Sequence, residues 1–145
     1  MGVALSPCIL PAVGHPTFQV GEGEMEVGMG IHGEPGIQRG SLQTADEVAA
    51  TIVSAILQDM PIEKGEKVSV LINGLGATPL EELYIVYKAV YSLLTDQGIH
   101  INCRYIGEFA TSLEMAGLSV SILHLDDELC RLMEAPFVTP FRIQN

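Results

Sequence analysis

Residues 68–79 read VSVLINGLGATP, an apolar strand that leads through a glycine turn to a helix start. Val68–Ile72 predicts a short buried strand, because β-branched residues dominate it. Asn73–Thr78 predicts a tight turn, since glycines accept backbone angles that other residues avoid. The pair Thr78-Pro79 has the residue types of an N-cap and a first helical position. This strand–turn–helix unit places the chain among proteins that combine a sheet with helices.

The pattern extends to both ends of the chain. Thr44-Ala45-Asp46-Glu47 has the form of a capping box, in which a threonine oxygen and a glutamate carboxylate accept backbone amides at a helix start. The predicted strands are Gly2–Leu10, Glu24–Ile31, Val68–Ile72, Ile99–Ile106 and Leu118–Leu125. The first predicted helix runs from the capping box to about Pro61, the second from Thr78-Pro79 to about Gln97, and the third from Asp126 to Met133. Gly98 follows the end of the second helix. The order β-β-α-β-α-β-β-α implies an α/β fold, in which helices pack on one mixed sheet.

Alternation marks the second predicted strand. Apolar side chains recur at every second residue and predict one buried face, while the acidic residues predict a solvated face. The apolar set is Met25, Val27, Met29 and Ile31, and the acidic set is Glu22, Glu24 and Glu26. The segment His32–Gly40, rich in glycine and proline, predicts a loop.

The run GMGIHGEPG, residues 28–36, places one histidine among glycines. A neutral imidazole can act as a base or a nucleophile, so His32 is the candidate catalytic residue. Gly30 and Gly33 are the candidate substrate-binding residues, because they leave room for a small ligand to approach the ring. The run also matches G-x-G-x-x-G, but the next two residues add negative charge and remove an amide where a dinucleotide site needs a helix start. We therefore expect no nucleotide at this loop.

Two other features carry weaker signals. The Asn73–Thr78 turn could hold an anion through its amides, but it lacks the lysine of a P-loop. A plain tight turn is the simpler interpretation, with Asn73 a candidate for lining a cleft. His15, His100 and His124 lack metal-ligand spacing, so no metal and no cofactor is expected on the chain. We expect His15 to be exposed in a turn and the other two to be partly buried.

Composition limits the function classes. Apolar residues make up 48% of the 145 residues, and the formal net charge is −11. These values favour one compact domain over residues 1–145 and argue against binding of nucleic acid or an anionic membrane. No apolar run approaches the length of a membrane span. Three cysteines without a CxxC motif indicate free thiols in a reducing cytoplasm.

Four separated blocks of the chain resemble one known family. They are VALSPC at residues 3–8, GMGIHGEPG at 28–36, NGLGATPLEELY at 73–84 and TSLEMAGLS at 111–119. In this order they are similar to the dihydroxyacetone-binding K subunit of dihydroxyacetone kinases, the DhaK family. The similarity runs over essentially the whole chain but covers only the second, carboxyl-terminal domain of the DhaK-type fold.

The resemblance implies a chemistry for the loop. In that family the histidine matching His32 bonds covalently to the substrate carbonyl carbon as a hemiaminal, so the implied ligand is dihydroxyacetone or a similar small ketone or aldehyde. The implied phosphoryl donor is a nucleotide held elsewhere. It lies on a separate L subunit in phosphotransferase-linked members and on a further domain in ATP-dependent members. We also expect a homodimer, since a face normally covered by the amino-terminal domain would be exposed.

The resemblance also implies that part of the site lies outside these residues. The family's acid–base histidine and aspartate belong to the amino-terminal K domain, so we expect this chain to be a portion of a longer one and to be inactive alone. Paralogues in the family act as dihydroxyacetone-sensing co-activators of a transcription regulator, and this domain alone does not separate them from kinase subunits. A third interpretation is a structural or oligomerisation domain, in which His32 is an ordinary loop residue.

Overall fold

The computed structural model describes residues 1–16, 18–30, 36–140 and 142–144. The elements along these residues are β1 (Gly2–Ala4), β2 (Glu24–Val27), β3 (Gln38–Ser41), α1 (Ala45–Asp59), β4 (Lys67–Gly74), α2 (Leu80–Asp96), β5 (His100–Gly107), β6 (Gly117–Leu125), α3 (Asp127–Glu134), β7 (Phe137–Val138) and β8 (Ile143–Gln144). The predicted strand–turn–helix unit is thus present as β4, a turn and α2.

Strands β1 to β6 form one mixed sheet in the order β3-β2-β1-β6-β4-β5. β4 and β5 run parallel, and the other neighbouring pairs are antiparallel. The carboxyl ends of β1, β4 and β5 therefore lie at one end of the sheet, where β6 begins. β7 and β8 form a separate hairpin. The predicted α/β class, with helices on a mixed sheet, is confirmed.

Helices α1 and α2 cover one face of the sheet. Val70 and Ile72 of β4 belong to the same buried cluster as Ile52 of α1 and Leu83 of α2. Burying one such side chain stabilises the fold by roughly 1.5–3 kcal/mol. The other face, called the distal face below, carries a smaller buried cluster made of Ala4, Cys8, Met29, Leu75 and Met115. Within the described residues, no helix combines the length and apolar composition needed to cross a bilayer.

Two helix starts form as predicted. The Thr44 hydroxyl accepts the Glu47 amide at 3.4 Å, and the Glu47 carboxylate accepts the Thr44 amide at 2.8 Å. The Asp126 carboxylate accepts the Leu129 amide at 2.7 Å and caps α3. Gly98 follows the end of α2, where its amide donates to a carbonyl of the last turn. These contacts join residues a few positions apart, so local sequence is enough to predict them.

The predicted N-cap of α2 is wrong. The helix begins at Leu80, and Pro79 holds the N-cap position without a side-chain hydrogen bond. The Thr78 hydroxyl instead donates to the Gly117 carbonyl at 2.7 Å and accepts the Gly117 amide at 2.9 Å. This reciprocal pair ties the turn to the start of β6, so the hydroxyl does not cap α2.

The first two strands are shorter than predicted. β1 ends at Ala4, because the amides of Leu5 and Ser6 both donate to the Ala116 carbonyl, at 2.7 and 3.2 Å, and the ladder stops there. β2 ends at Val27, where the next residue, a glycine, has a φ of +82°.

Met29 consequently leaves the face that it was predicted to share with Met25 and Val27. Its side chain packs in the distal cluster, whereas theirs lie in the main core. Ile31, the fourth member of the predicted apolar set, lies outside the described residues. One glycine turn therefore redirects the chain across the sheet.

β3 forms where the sequence predicts a loop. Its residues are QRGS, three of them exposed, so no apolar alternation marks the strand. It is an edge strand whose whole length pairs with β2, from Glu24 opposite Ser41 to Val27 opposite Gln38. Pairing between strands, rather than propensity, decides this element.

Candidate functional site

The candidate site is the loop between β2 and β3. His32 and Gly33, the predicted catalytic and substrate-binding residues, lie outside the described residues. Gly30, the other predicted substrate-binding residue, is half-buried in irregular backbone and is the last residue described before them. The structure therefore defines this site by the two ends of the loop.

The first end of the loop crosses β1. The Gly28 amide donates to the Gly2 carbonyl at 2.7 Å. The Met29 carbonyl oxygen lies 3.0 Å from the point where a β-carbon on Gly2 would stand, so a glycine at position 2 permits this close approach. The Met29 side chain packs with Ala4 and Leu75 in the distal cluster. This end of the loop is anchored to the distal face by a backbone bond and a buried side chain.

The second end of the loop returns to β2. The Gly36 amide donates to a Glu26 carboxylate oxygen at 2.6 Å, and the Ile37 amide donates to the Val27 carbonyl at 2.8 Å. A β-carbon on Gly36 would lie 2.5 Å from the Val27 carbonyl oxygen, so this position has no room for a side chain. Both ends of the loop are thus fixed against neighbouring strands.

Glu26 is buried, and the prediction that it belongs to a solvated face is wrong. The residue is 6% exposed and lies opposite Arg39 of β3, whose guanidinium donates to the second carboxylate oxygen at 2.6 Å. The Gly36 amide, with the Arg39 guanidinium second, holds the pKa of Glu26 below its usual value, although burial opposes this shift. Period-two alternation predicts that the Glu26 side chain points away from the main core. It does not predict that other residues also bury the distal face at this position.

The free energy of unfolding should depend on whether the Glu26 carboxylate is ionised, and therefore on pH in the acid range. Because its folded-state pKa lies below the ordinary value of 4.5, ionised Glu26 contributes stability that is full above pH 4.5 and is lost as the pH falls through the lowered value. We expect the difference in free energy of unfolding between the wild-type chain and Glu26→Gln to shrink below that pH. Urea titrations at several pH values measure it, and a difference that stays constant into acid would contradict the assignment.

Asn73 organises the connection beside the loop. The register places Gly2 opposite Ser119, and Ser119 opposite Asn73, on the distal face. Asn73 is 3% exposed; its oxygen accepts the amides of Phe109 and Ala110, each at 2.9 Å, and its nitrogen donates to the Ala110 carbonyl at 2.9 Å. The prediction that Asn73 lines a cleft is wrong, because its amide group holds the β5–β6 connection in place.

Comparison with known proteins identifies the chain. The sequence profile of the Dak1 domain matches residues 1–141. The chain belongs to the Dak1 domain family. The dihydroxyacetone-binding subunit DhaK of PTS-dependent dihydroxyacetone kinase 2 from Listeria innocua is 48% identical over 141 residues, which are 97% of this Dak1 chain and 43% of that protein. The L-erythrulose kinase of Pectobacterium atrosepticum is 47% identical over 97% of this chain and 24% of that protein.

Solved structures share the fold of this Dak1 chain. The dihydroxyacetone kinase operon co-activator DhaQ aligns with a TM-score of 0.84 at 29% identity, over 93% of this chain and 42% of that one. The dihydroxyacetone kinase from C. freundii in complex with AMP-PNP and Mg²⁺ aligns with a TM-score of 0.76 at 29% identity, over 92% and 24% respectively. The family predicted from four sequence blocks is confirmed, and this chain spans less than half the length of these relatives.

Two other histidines of the Dak1 chain, His100 and His124, lie apart from Asn73. His100 and His124 pair with the first two residues of β4, at the opposite end of that strand from Asn73. His100 is exposed, contrary to the prediction, because β5 is an edge strand. His124 is half-buried and His15 is exposed, and both agree with the prediction. Among the described residues, no three His, Cys, Asp or Glu side chains lie close enough to hold a metal ion.

Proposed function

We propose that this Dak1 domain is the carbonyl-binding part of a kinase that phosphorylates dihydroxyacetone or a similar short ketose. The observation that carries the proposal is the complete run GMGIHGEPG in a chain 48% identical to a dihydroxyacetone-binding subunit. The anchored ends of the loop support it, since a nucleophile on a loop needs fixed neighbours to meet a small substrate reproducibly. Relatives named as dihydroxyacetone and erythrulose kinases suggest three- or four-carbon ketoses as substrates.

In this proposal His32 is the nucleophile. One ring nitrogen attacks the carbonyl carbon, an N–C bond forms, and the C=O π electrons move to the oxygen. The oxygen gains a proton while the imidazole loses the proton of its other nitrogen, so the product is a neutral hemiaminal. Glycerol has no electrophilic carbon and cannot form this bond. Gly30 and Gly33 serve as substrate-binding positions that leave the ring accessible.

The rest of the reaction is assigned to partners. We propose that the phosphoryl donor is a nucleotide on a separate L subunit or another domain, and that the proton-transfer groups come from an amino-terminal K domain. The positions of His100 and His124 support the assignment of proton transfer to another domain. Both lie at the opposite end of β4 from Asn73, whereas Gly2, which holds the first end of the loop, lies level with Asn73. The 145-residue chain alone should therefore bind the ketose without phosphorylating it. A homodimer belongs to the same proposal.

A dihydroxyacetone-sensing co-activator is the second candidate. Its support is the TM-score of 0.84 with the co-activator DhaQ, against 0.76 with the C. freundii kinase. Sequence favours the kinase, because DhaQ is 29% identical to this chain whereas the kinase subunit from Listeria innocua is 48% identical. Both candidates use the same ketose site, so the test below addresses the shared chemistry.

The expected result is a covalent adduct that depends on His32. Dihydroxyacetone labelled with ¹³C at its carbonyl should give a new resonance, upfield of the free ketone, when mixed with the wild-type chain. His32→Ala should remove that resonance and weaken binding by about 100-fold or more, because it removes the nitrogen that forms the covalent bond in this proposal. His15→Ala, at an exposed histidine, is the matched control and should behave as the wild type does. An adduct that survives in His32→Ala would refute the proposal.

A further inference from the structure

One buried carboxylate holds the second end of the loop that carries His32. One Glu26 oxygen accepts the Gly36 amide and the other accepts the Arg39 guanidinium, each at 2.6 Å. We propose that Glu26 is a positioning residue, which acts through these two contacts to set the direction from which His32 meets a carbonyl. The inference rests on the proposed function, because only carbonyl binding requires that direction.

The contacts close the loop across its base. Glu26 and Gly36 are ten residues apart in sequence, so their hydrogen bond joins the two ends of the intervening segment. The Ile37 amide reinforces this bond on β2, and the Gly28 amide fixes the other end on β1. Restricting both ends before the ligand arrives lowers the entropy lost when the adduct forms. Displacing a reacting group by 1 Å can slow its reaction on the order of 100-fold.

The buried, negatively charged Glu26 carboxylate is stabilised by the positive charge of Arg39. Arg39 faces Glu26 from β3, while the residue opposite Glu26 on β1 is Ala4, which carries no charge. A buried carboxylate without a cation or hydrogen bonds is strongly unfavourable. A glutamine at position 26 has one acceptor oxygen and one NH₂ group, so either orientation turns a donor toward the Arg39 guanidinium or the Gly36 amide. Glu26→Gln therefore removes one contact at constant size.

The experiment measures adduct affinity and stability together. Carbonyl-labelled dihydroxyacetone is titrated into the wild-type chain, Glu26→Gln, Arg39→Lys and Met25→Ala, and each is also unfolded in urea. Met25→Ala is the matched control, because it opens the main core beneath the same strand at a residue that holds neither end of the loop. We expect Glu26→Gln to weaken the adduct by about 10- to 100-fold. Arg39→Lys keeps the cation and should lose less than about 5-fold. Met25→Ala should lose stability but keep its affinity.

Three outcomes would overturn the inference. If the wild-type chain forms the adduct and Glu26→Gln binds as tightly as Met25→Ala, the positioning role is wrong while the proposed function stands. If the wild-type chain binds no better than His32→Ala, the proposed function fails and this inference fails with it. Should Glu26→Gln not fold, Arg39→Gln takes its place, because the Arg39 side chain is 47% exposed and a glutamine there removes the cation but keeps an NH₂ donor. Wild-type affinity in that variant would also refute the inference.

Discussion

Gly76→Ala should unfold the chain at much lower urea than the wild type. The residue has a φ of +129°, and a β-carbon there would overlap the carbonyl oxygen of Leu113. The backbone fixes the position of the β-carbon, and the oxygen is itself a backbone atom, so neither can rotate away as the end of a long side chain could. Backbone strain of about 1–3 kcal/mol adds to overpacking of about 1–3 kcal/mol. We expect a loss of roughly 4 kcal/mol in the free energy of unfolding.

The clash matters because the turn after β4 is tied to the segment before β6. The Ala77 amide donates to the Met115 carbonyl at 3.1 Å, and the Ser112 amide donates to the Leu75 carbonyl at 2.8 Å. Displacing Leu113 strains both contacts. Gly65→Ala is the matched control, since its φ of +94° imposes strain but a β-carbon there meets no atom within 4 Å. Equal losses in the two variants would show that strain, and not the clash, determines the effect.

Asn73→Ala should produce the second large loss of stability. The substitution removes the acceptor of the Phe109 and Ala110 amides and the donor to the Ala110 carbonyl. Each buried backbone group left without its partner costs about 1–3 kcal/mol. Since part of the connection is exposed to water, we expect about 3 kcal/mol in total, measured by urea unfolding. Amide exchange at Ala110 should accelerate in the same variant.

Asn102→Ala is the control for Asn73→Ala, because it removes the same type of side chain from an exposed position. The comparison shows whether the loss of stability comes from the position of Asn73 or from losing any asparagine. The Asn102 amide donates to Glu134 at 3.1 Å, but the pair is exposed. Water replaces such a bond, so we expect a loss of less than about 0.5 kcal/mol. A similar loss in Asn102→Ala and Asn73→Ala would contradict the organising role of Asn73. Glu134 is exposed, so the variant leaves no buried charge without a partner.

Sequence prediction succeeds here where the stabilising contacts are local. The capping box of α1 joins Thr44 and Glu47, three residues apart, and Asp126 caps α3 over the same distance. The apolar periodicity of α1 and β4 likewise places their residues in the core. Sequence prediction fails at Thr78, whose hydroxyl forms a hydrogen bond with Gly117, 39 residues away. A helix-cap signal cannot show that a distant strand will take the capping group.

The same distinction separates the two halves of the candidate site. GMGIHGEPG identifies the loop and names His32, because a glycine-lined histidine is visible in the residues themselves. Glu26 is not visible in this way. It alternates with Met25 and Val27, and period two shows only that it faces away from the main core.

Residue types and their spacing along the chain were enough to predict the family, the α/β class, two of the helix caps and the loop that carries His32, since each depends on a motif or on residues a few positions apart. The burial of Glu26, the formation of β3 by QRGS and the position of Met29 on the distal face became visible only in the folded chain. Each of these features depends on contacts between residues that are distant in sequence: Glu26 with Gly36 and Arg39, β3 with β2, and Met29 with Ala4 and Leu75. Such contacts determine burial and pairing, and no local pattern encodes them.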